Sequence, residues 1–433
     1  MTSEWLVFYS KTKASNDLYP FSCGPAVKTA SSICLIEVIF TGIRGDPALE
    51  KHRRILVVSA SIGAGHHQAA YAIKAAWKSQ FPDDNIQIAD FMSESSSHFN
   101  HLIKEAYLKA ISFSPDIYEF IYRWSQQNPS TINAQQTLAW VMQLAMARLI
   151  KRYRPNVVVC THPFPCGAIS YLKTNKGLNL PVVGVVTDFA IHRFWINAEV
   201  DQYLVATPEL KAALMERGVS PDNIVTTGIP IHPSFALSAK DIVKPVVVNE
   251  APVILIMGGG FGFGPLCELL AIVNKVEMPL RVMVVTGNNT ALREKLQALT
   301  AGLSKEITVL GYVKDIRELM ASADILITKP GALTICEALA MELPMLFYQA
   351  IPGQEMENAR YIITKGAAQW IGGEYKKKWK CNGDKIVRQI TELLQNPSEL
   401  VLMQSAAKEL CRPLAAAAAV HVINRQLLDR KTV

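Results

Sequence analysis

The stretch SASIGAGHHQAA, Ser59 to Ala70, sets His66 and His67 behind a glycine turn that closes the apolar run RRILVV. A strand, a glycine turn and a helix start is the layout that cradles phosphate. Glycine lets backbone N–H groups approach closely, and a helix N-terminus carries partial positive charge. Gly63 and Gly65 supply the turn, and Asp90 ends the next strand, where dinucleotide-binding proteins carry a ribose acid. Gln68 nevertheless stands in the place of the third glycine of that fingerprint, which weighs against a dinucleotide. A second glycine turn, GGGFGFG from Gly258 to Gly264, follows the run VILIM and lacks the Gly-Lys-Ser/Thr of a triphosphate-binding loop. The third stretch, Thr328 to Asn358, is richer. A strand ends in Lys329-Pro330-Gly331, whose N–H groups suit a phosphate, and Glu337 lies in the early turns of the next helix. A carboxylate there accepts from two vicinal ribose hydroxyls. After one more strand, Gln354, Glu355 and Asn358 bring amides and a carboxylate together, the side chains that hold sugar hydroxyls.

These residues need a scaffold that brings distant strand ends to one edge. From Arg54 on, short Val- and Ile-rich runs (RILVVSA, NIQIADF, PNVVVCTHP, PVVGVVTDF, QYLVAT, IVTTGIPI) alternate with helical stretches such as GHHQAAYAIKAAWKSQF. A second series begins near Ala251 with APVILIMGGG, LRVMVVTGNN, ITVLGYV, ADILITKPG and PMLFYQA. Apolar runs without alternation suit strands covered on both faces, hence parallel sheets. The fold class is α/β, as two doubly wound Rossmann-like domains facing a cleft, with ligands at the carboxyl ends of the strands. The expected divisions are a poorly ordered extension over 1–52, a first domain over 53–238, a second over 239–405 and a C-terminal helix over 406–433 that breaks near Pro413. Pro233 to Pro252 reads as the linker.

Half of the 433 residues are hydrophobic and 19% are charged, so a sizeable core forms and global disorder is excluded. A formal charge of +7 is too weak to imply nucleic acid, and no nucleic-acid module is visible, but it suits anionic lipid or phosphorylated ligands. The eight cysteines form no C-x-x-C pair and read as buried thiols of a reducing compartment. The most apolar stretch of the extension, SSICLIEVIF, holds Glu37 and is too short to span a bilayer, so membrane contact is expected to be peripheral. Asp83 and Asp84 read as a solvated turn.

Five stretches together, SIGAGHHQAA, VVTDFAIHRFW, YLVATPELKAALMERGVSPDNIVTTGIPIHPSF, GYVKDIRELMASADILITKPGALTICEAL and IPGQEMENARYI, carry a specific resemblance. In this order they resemble the diacylglycerol glycosyltransferases of bacteria and the monogalactosyldiacylglycerol synthases of plastids, members of glycosyltransferase family 28. That family is related to the murein transferase that adds N-acetylglucosamine to a lipid carrier. The resemblance runs from about Arg54 to Val420. It implies a GT-B fold, a UDP-sugar donor, diacylglycerol as acceptor and inversion at the anomeric carbon, without a further cofactor. By resemblance, Gly259, Gly260, Lys329, Pro330, Gly331 and Ala332 lie near the diphosphate. Tyr312 and Val313 frame the uracil, and Glu337 holds the ribose. Gln354 and Glu355 hold the hexose, with Asn358 beside them, and Thr286 to Asn288 line the same cleft.

The resemblance turns the opening loop toward the acceptor. Gly63 and Gly65 then shape an acceptor turn, and His66 is the candidate base that takes the proton of the attacking alcohol. A helix N-terminus disfavours the imidazolium and keeps that ring a free base. The alternative for His66 is a packed helix cap, and His67, about 100° around the helix, reads as structural. Asp188 either orients His66 or is the base itself, and His162 is a second-rank candidate. His192, Arg193 and Trp195 are expected on a headgroup-facing loop, where ordinary loop packing is the alternative. His98 to Trp124, including Tyr118 and Trp124, reads either as a membrane-touching flap or as a core helix pair. No metal is expected, since there is no D-x-D and the leaving diphosphate has N–H groups and Lys329. The expected enzyme is a UDP-sugar-dependent hexosyltransferase that needs no metal, sits on the cytoplasmic face of the membrane and contacts its anionic surface. The rivals are transfer of N-acetylglucosamine to a lipid-linked peptidoglycan precursor, and a nucleotide-sugar-binding regulator without essential catalysis.

Overall fold

The apolar runs become strands, and most are buried along their whole length. The structure is a computed structural model describing residues 52–61, 64–94, 131–236, 251–260, 262, 264–373 and 382–429. Gly63, Tyr118, Trp124, the His98–Trp124 stretch and the first fifty residues lie outside it, as does most of the linker.

The first sheet holds β1 (Arg54–Ser59), β2 (Asn85–Asp90), β3 (Val157–Cys160), β4 (Val182–Val185), β5 (Gln202–Val205) and β6 (Ile224–Thr226), in the order β2-β1-β3-β4-β5-β6. The second holds β7 (Val253–Met257), β8 (Arg281–Val285), β9 (Glu306–Leu310), β10 (Ile325–Thr328), β11 (Met345–Phe347) and β12 (Ala368–Trp370), in the order β12-β11-β10-β7-β8-β9. Every pairing is parallel. The central strands β3, β4, β5, β7 and β10 are buried throughout because helices cover both faces. The strand order reverses between β1 and β3 in one sheet and between β7 and β10 in the other. Open α/β sheets bind ligands in the crevice at such a point.

The helices are α1 (Ala64–Gln80), α2 (Thr131–Tyr153), α3 (Pro163–Lys176), α4 (Pro208–Met215), α5 (Leu266–Val273), α6 (Thr290–Thr300), α7 (Arg317–Ser322), α8 (Ala332–Ala340), α9 (Gln354–Thr364), α10 (Gly383–Gln395), α11 (Pro397–Leu410) and α12 (Ala415–Asp429), with a short turn of helix at Phe91–Glu94. α3 shows how local sequence sets the ends. His162 caps it by accepting from Phe164 N, Pro163 starts it where no amide partner is needed, and Gly177 ends it at φ 64°.

The tail breaks around Pro413, and α12 then returns to the first sheet. Its Ala416, Ala419, Val420 and Ile423 share a core with Ile55, Val57, Ile73 and Trp77. Small side chains let α12 lie close on α1. Arg53 Nη1 donates to Asn424 Oδ1, and Gln426 Nε2 donates to Gln202 Oε1 at 3.1 Å. The last helix is therefore built into the first half of the molecule. Asp84 is not solvated as expected: it is buried, pairs with Arg53 at 2.7 Å and accepts from Trp77 Nε1 at 2.9 Å. A buried carboxylate needs such partners, and the turn that carries it folds back under α1 to find them.

Candidate active site

The turns after β1 and β7 meet across the two halves. A Cβ on Gly260 would stand 3.0 Å from Ala64 Cβ, and one on Gly65 would stand 3.3 Å from Leu333 of α8. Small residues on both sides allow this approach. Gly287, at φ 60°, is required by a second one, since a Cβ there would lie 2.6 Å from the Gly259 and Gly260 carbonyls. The turn after β8 is tied to the turn after β7 by Asn288 N, which donates to Gly260 O at 3.1 Å.

His66 lies in the first turn of α1, at the reversal point of the first sheet. Its Nδ1 is 2.9 Å from Thr161 O and 2.7 Å from Thr187 Oγ1. A carbonyl only accepts, so Nδ1 carries the proton and Nε2 is left with the free lone pair. Burial holds the ring down at about 4, with the nearby His67 acting in the same direction and the Thr161 hydrogen bond opposing them. His66 is therefore neutral at physiological pH. His162 packs edge-on against it, with ring centres 4.7 Å apart, and burial pushes its pKa down too. His67 faces Asp90 at 3.8 Å, and Asp90 Oδ1 accepts from the Ser61 and Met92 amides, so this acid braces the turn.

Asp188 follows β4 and does not orient His66, as one reading of the sequence had it. Its Oδ1 accepts instead from Asn358 Nδ2 at 3.1 Å, and the imidazole is held by the two threonines. Burial pushes Asp188 up to about 7; the Asn358 hydrogen bond opposes this, Glu355 adds to it and Lys329 opposes it.

The donor-side residues gather at the reversal point of the second sheet. Lys329 sits beside the Gly259 turn and pairs with Glu355 Oε1, while Glu355 Oε2 accepts from Ile351 N at 2.9 Å. Gly331 and the buried Ala332 open α8. Burial alone lifts Glu337, on α8, to about 8. It is a half-buried carboxyl, suited to ligand hydroxyls. Tyr312 is 56% exposed with Val313 half-buried beside it, a free aromatic face of the kind a base stacks on. Gln354 starts α9, half-buried.

Four expectations are corrected. Asn358 is fully buried with both its amide hydrogens and its oxygen engaged by protein, so it is not free to bind a sugar. Thr286 is buried and donates to Leu310 O at 3.1 Å, which ties β8 to β9 and takes its hydroxyl out of the cleft. Trp195 is 2% exposed and its carbonyl accepts from Tyr203 Oη at 2.7 Å, so it packs inward and presents nothing to a lipid surface. His192 is buried and caps the following turn by accepting from Phe194 N at 3.2 Å. Its neighbour Arg193 is half-buried and lines, with Gln135, Tyr171 and Arg217, a cavity of about 700 Å³. Thr161 and Thr187, which hold His66, are the site residues that sequence reasoning passed over. Their signal was position, since Thr161 directly follows β3 and Thr187 comes two residues after the end of β4.

Two family models match the chain: monogalactosyldiacylglycerol (MGDG) synthase over residues 66–231, and the glycosyltransferase family 28 C-terminal domain over residues 253–419. A processive diacylglycerol beta-glucosyltransferase of Bacillus cytotoxicus is 33% identical over 380 residues, covering 86% of this chain and 94% of the relative. Another, of Bacillus mycoides, is 33% identical over 386 residues, covering 88% and 94%. Among solved structures, Acinetobacter baumannii MurG superposes with a TM-score of 0.57 at 18% identity over 86% of this chain and 99% of its own. The glycotransferase of kitacinnamycin gives 0.57 at 14% over 87% and 100%. At these identities the structures show the shared fold, two Rossmann-like domains of GT-B type.

Proposed function

The chain belongs to the family of diacylglycerol glycosyltransferases, and on that premise we propose how its two crevices divide a hexosyl transfer from a UDP-sugar to diacylglycerol. The donor occupies the crevice between β7 and β10. The Gly259–Gly260 turn, the α8 N-terminus and the Lys329 ammonium neutralise the diphosphate, which is where negative charge grows as the sugar departs. Glu337 takes the ribose hydroxyls, Tyr312 and Val313 frame the base, and Gln354 with Glu355 faces the hexose. Donor binding displaces the Lys329–Glu355 pair, handing the ammonium to phosphate and the carboxylate to sugar hydroxyls.

The acceptor hydroxyl enters beside His66. Its oxygen forms a bond to the anomeric carbon from the face opposite the leaving group, the bond to UDP breaks, and the hydroxyl proton passes to His66 Nε2. One displacement inverts the centre. The Thr161 carbonyl on Nδ1–H stabilises the imidazolium as it forms. Asp188, ionised in part near neutral pH, is the second candidate for that proton. No resident metal or cofactor is assigned a role. The single observation that carries this reading is His66: a half-buried neutral imidazole with Nδ1 committed to a carbonyl, on a helix start whose Ala64 and Gly65 lie against the other half.

A peripheral site on the cytoplasmic face of the membrane is part of the proposal. No helix among the described residues is long and apolar enough to cross a membrane. Along α2, Trp140 is 56% exposed and Leu144 68%, and Arg148 and Lys151 follow on the same face, also exposed. An apolar stretch with basic residues beside it suits an anionic bilayer surface, in place of the buried Trp195. The thiols of Cys160, Cys166, Cys267, Cys336 and Cys411 are free, which suits a reducing compartment. The test is a product assay: purified protein, vesicles carrying diacylglycerol, and UDP-glucose or UDP-galactose, with lipids read by mass spectrometry. A hexosyl-diacylglycerol is expected. No glycolipid from either donor, with UDP still bound, favours the regulator; transfer only from UDP-N-acetylglucosamine to a polyprenyl-linked acceptor favours the peptidoglycan reading.

A further inference from the structure

Asn358 has no exposed surface, and its side chain bonds to two turns from different halves of the molecule. Its Nδ2 donates to Asp188 Oδ1 at 3.1 Å and to Pro330 O at 3.3 Å, and its Oδ1 accepts from Phe189 N at 2.8 Å. Pro330 belongs to the turn after β10 that carries Lys329. Asp188 and Phe189 belong to the turn after β4, whose preceding residue, Thr187, touches His66 Nδ1 at 2.7 Å. The Phe189 ring stacks on Tyr361 of α9, with centres 5.3 Å apart and planes 16° apart. Glu355, Asn358 and Tyr361 are spaced three apart on α9, so one side of that helix reaches Lys329, Asp188 and Phe189 in succession.

We propose that Asn358 is a positioning residue that couples the donor crevice to the acceptor crevice, by locking the Thr187–Asp188–Phe189 turn to the Lys329–Pro330 turn through α9. The inference rests on the glycosyltransferase reading above. Its physical basis is that an amide with both hydrogens and its oxygen committed in a buried site holds its partners to one arrangement, because any shift leaves a buried polar group unpaired. A diphosphate that draws Lys329 away from Glu355 alters the load on α9. Asn358 passes that change to Asp188, and Thr187 passes it to His66. The acceptor side is thereby set by donor occupancy.

The readout is pH as well as rate. The charged and titratable groups facing Asp188 are Lys329, Glu355 and the Cys336 thiol of α8. Lys329 and Asn358 favour the ionised carboxyl, while burial and Glu355 disfavour it. Removing the amide therefore raises the Asp188 pKa above about 7; an ionised Asp188 favours the imidazolium that forms at His66, so activity recovers only at higher pH.

The experiment first establishes turnover by the wild-type protein, since absence of glycolipid there overturns the functional reading and not this inference. Asn358→Ala and Asn358→Asp are then compared with wild type for kcat across pH and for UDP affinity by calorimetry, with thermal unfolding as the check on folding. For Asn358→Ala, kcat at pH 7 is expected to fall roughly tenfold or more, with UDP affinity within about threefold of wild type and the rising limb of the kcat profile moved to higher pH. Asn358→Asp keeps the shape and the acceptor for Phe189 N but loses the donor, so it must move the limb in the same direction, including where Asn358→Ala does not fold. Loss of UDP affinity in step with kcat would make Asn358 a donor ligand, and an unmoved limb would make it a scaffold residue; either result overturns the inference.

Discussion

The two reversal points of the two sheets have the same topology and opposite chemistry. Between β7 and β10 the crevice is built from glycine carbonyls and amides, a lysine and two carboxyls, Glu337 and Glu355, with the ammonium and one carboxylate already paired. Between β1 and β3 it is built around imidazoles: His66 and His162 are held neutral by burial, and the Thr161 carbonyl and the Thr187 hydroxyl hold His66. A charged crevice that can trade its internal ion pair for a ligand suits an anionic nucleotide. A crevice of neutral imidazoles, with the His66 Nε2 lone pair free, suits an uncharged alcohol. Topology fixes where a ligand goes, and the side chains at the strand ends fix which one.

That contrast can be broken one crevice at a time. The largest expected loss on the donor side comes from Lys329→Ala. It removes the cation opposite the departing diphosphate, and kcat should fall by about 10²–10³, as for loss of one charge-stabilising donor. Steady-state kinetics at saturating UDP-sugar checks it, and a loss confined to KM would move Lys329 from transition state to ground state. Glu337→Ala should weaken UDP binding by roughly 10–100-fold, the worth of hydrogen bonds to a charged group, and leave UDP-independent steps such as vesicle binding untouched. Titration calorimetry with UDP reads it directly.

Trp140→Ala combined with Leu144→Ala should weaken partition onto anionic vesicles by about tenfold, as burial of two large apolar side chains is lost, and leave UDP affinity as it was. Sedimentation with phosphatidylglycerol vesicles decides, and unchanged partition removes α2 as the contact face. The smallest effect is a proton count. Burial leaves Glu337 largely protonated at pH 7 in the empty cleft, because its pKa is about 8. Ribose hydroxyls donating to it favour the carboxylate and lower that pKa, so UDP binding at pH 7 should release up to about one proton, fading to none well above pH 8. Calorimetry in buffers of different ionisation enthalpy measures the release, and proton uptake instead would contradict the ribose role.

Much of this was legible in the sequence because it depends on periodicity. Runs such as VVVC, VVGV and VILIM have no polar alternation, so they had to be covered on both faces, and parallel sheets with strand-end sites followed. The misses share one cause. Trp195, Asp84, Thr286 and Asn358 are polar or amphipathic groups whose partners come from outside their own turn, and nothing local says whether such a group meets water or protein. One local signal existed. His162, His192 and His232 each accept, through Nδ1, from the amide two residues on, so a histidine followed two positions later by a loop amide reads as a cap. His66 lacks that contact, since its ring instead meets Thr161 and Thr187 of other strand ends. That difference separates the candidate base from the capping histidines.

The central claim is that proton transfer belongs to the neutral crevice and nucleotide binding to the charged one, and His66→Ala tests it most directly. Turnover of UDP-sugar into hexosyl-diacylglycerol and UDP affinity are measured on the same preparation. The expected result is a fall in kcat of about 10²–10⁴ with UDP affinity within about threefold of wild type. Turnover retained within tenfold of wild type, or UDP affinity lost in parallel with kcat, would contradict the claim.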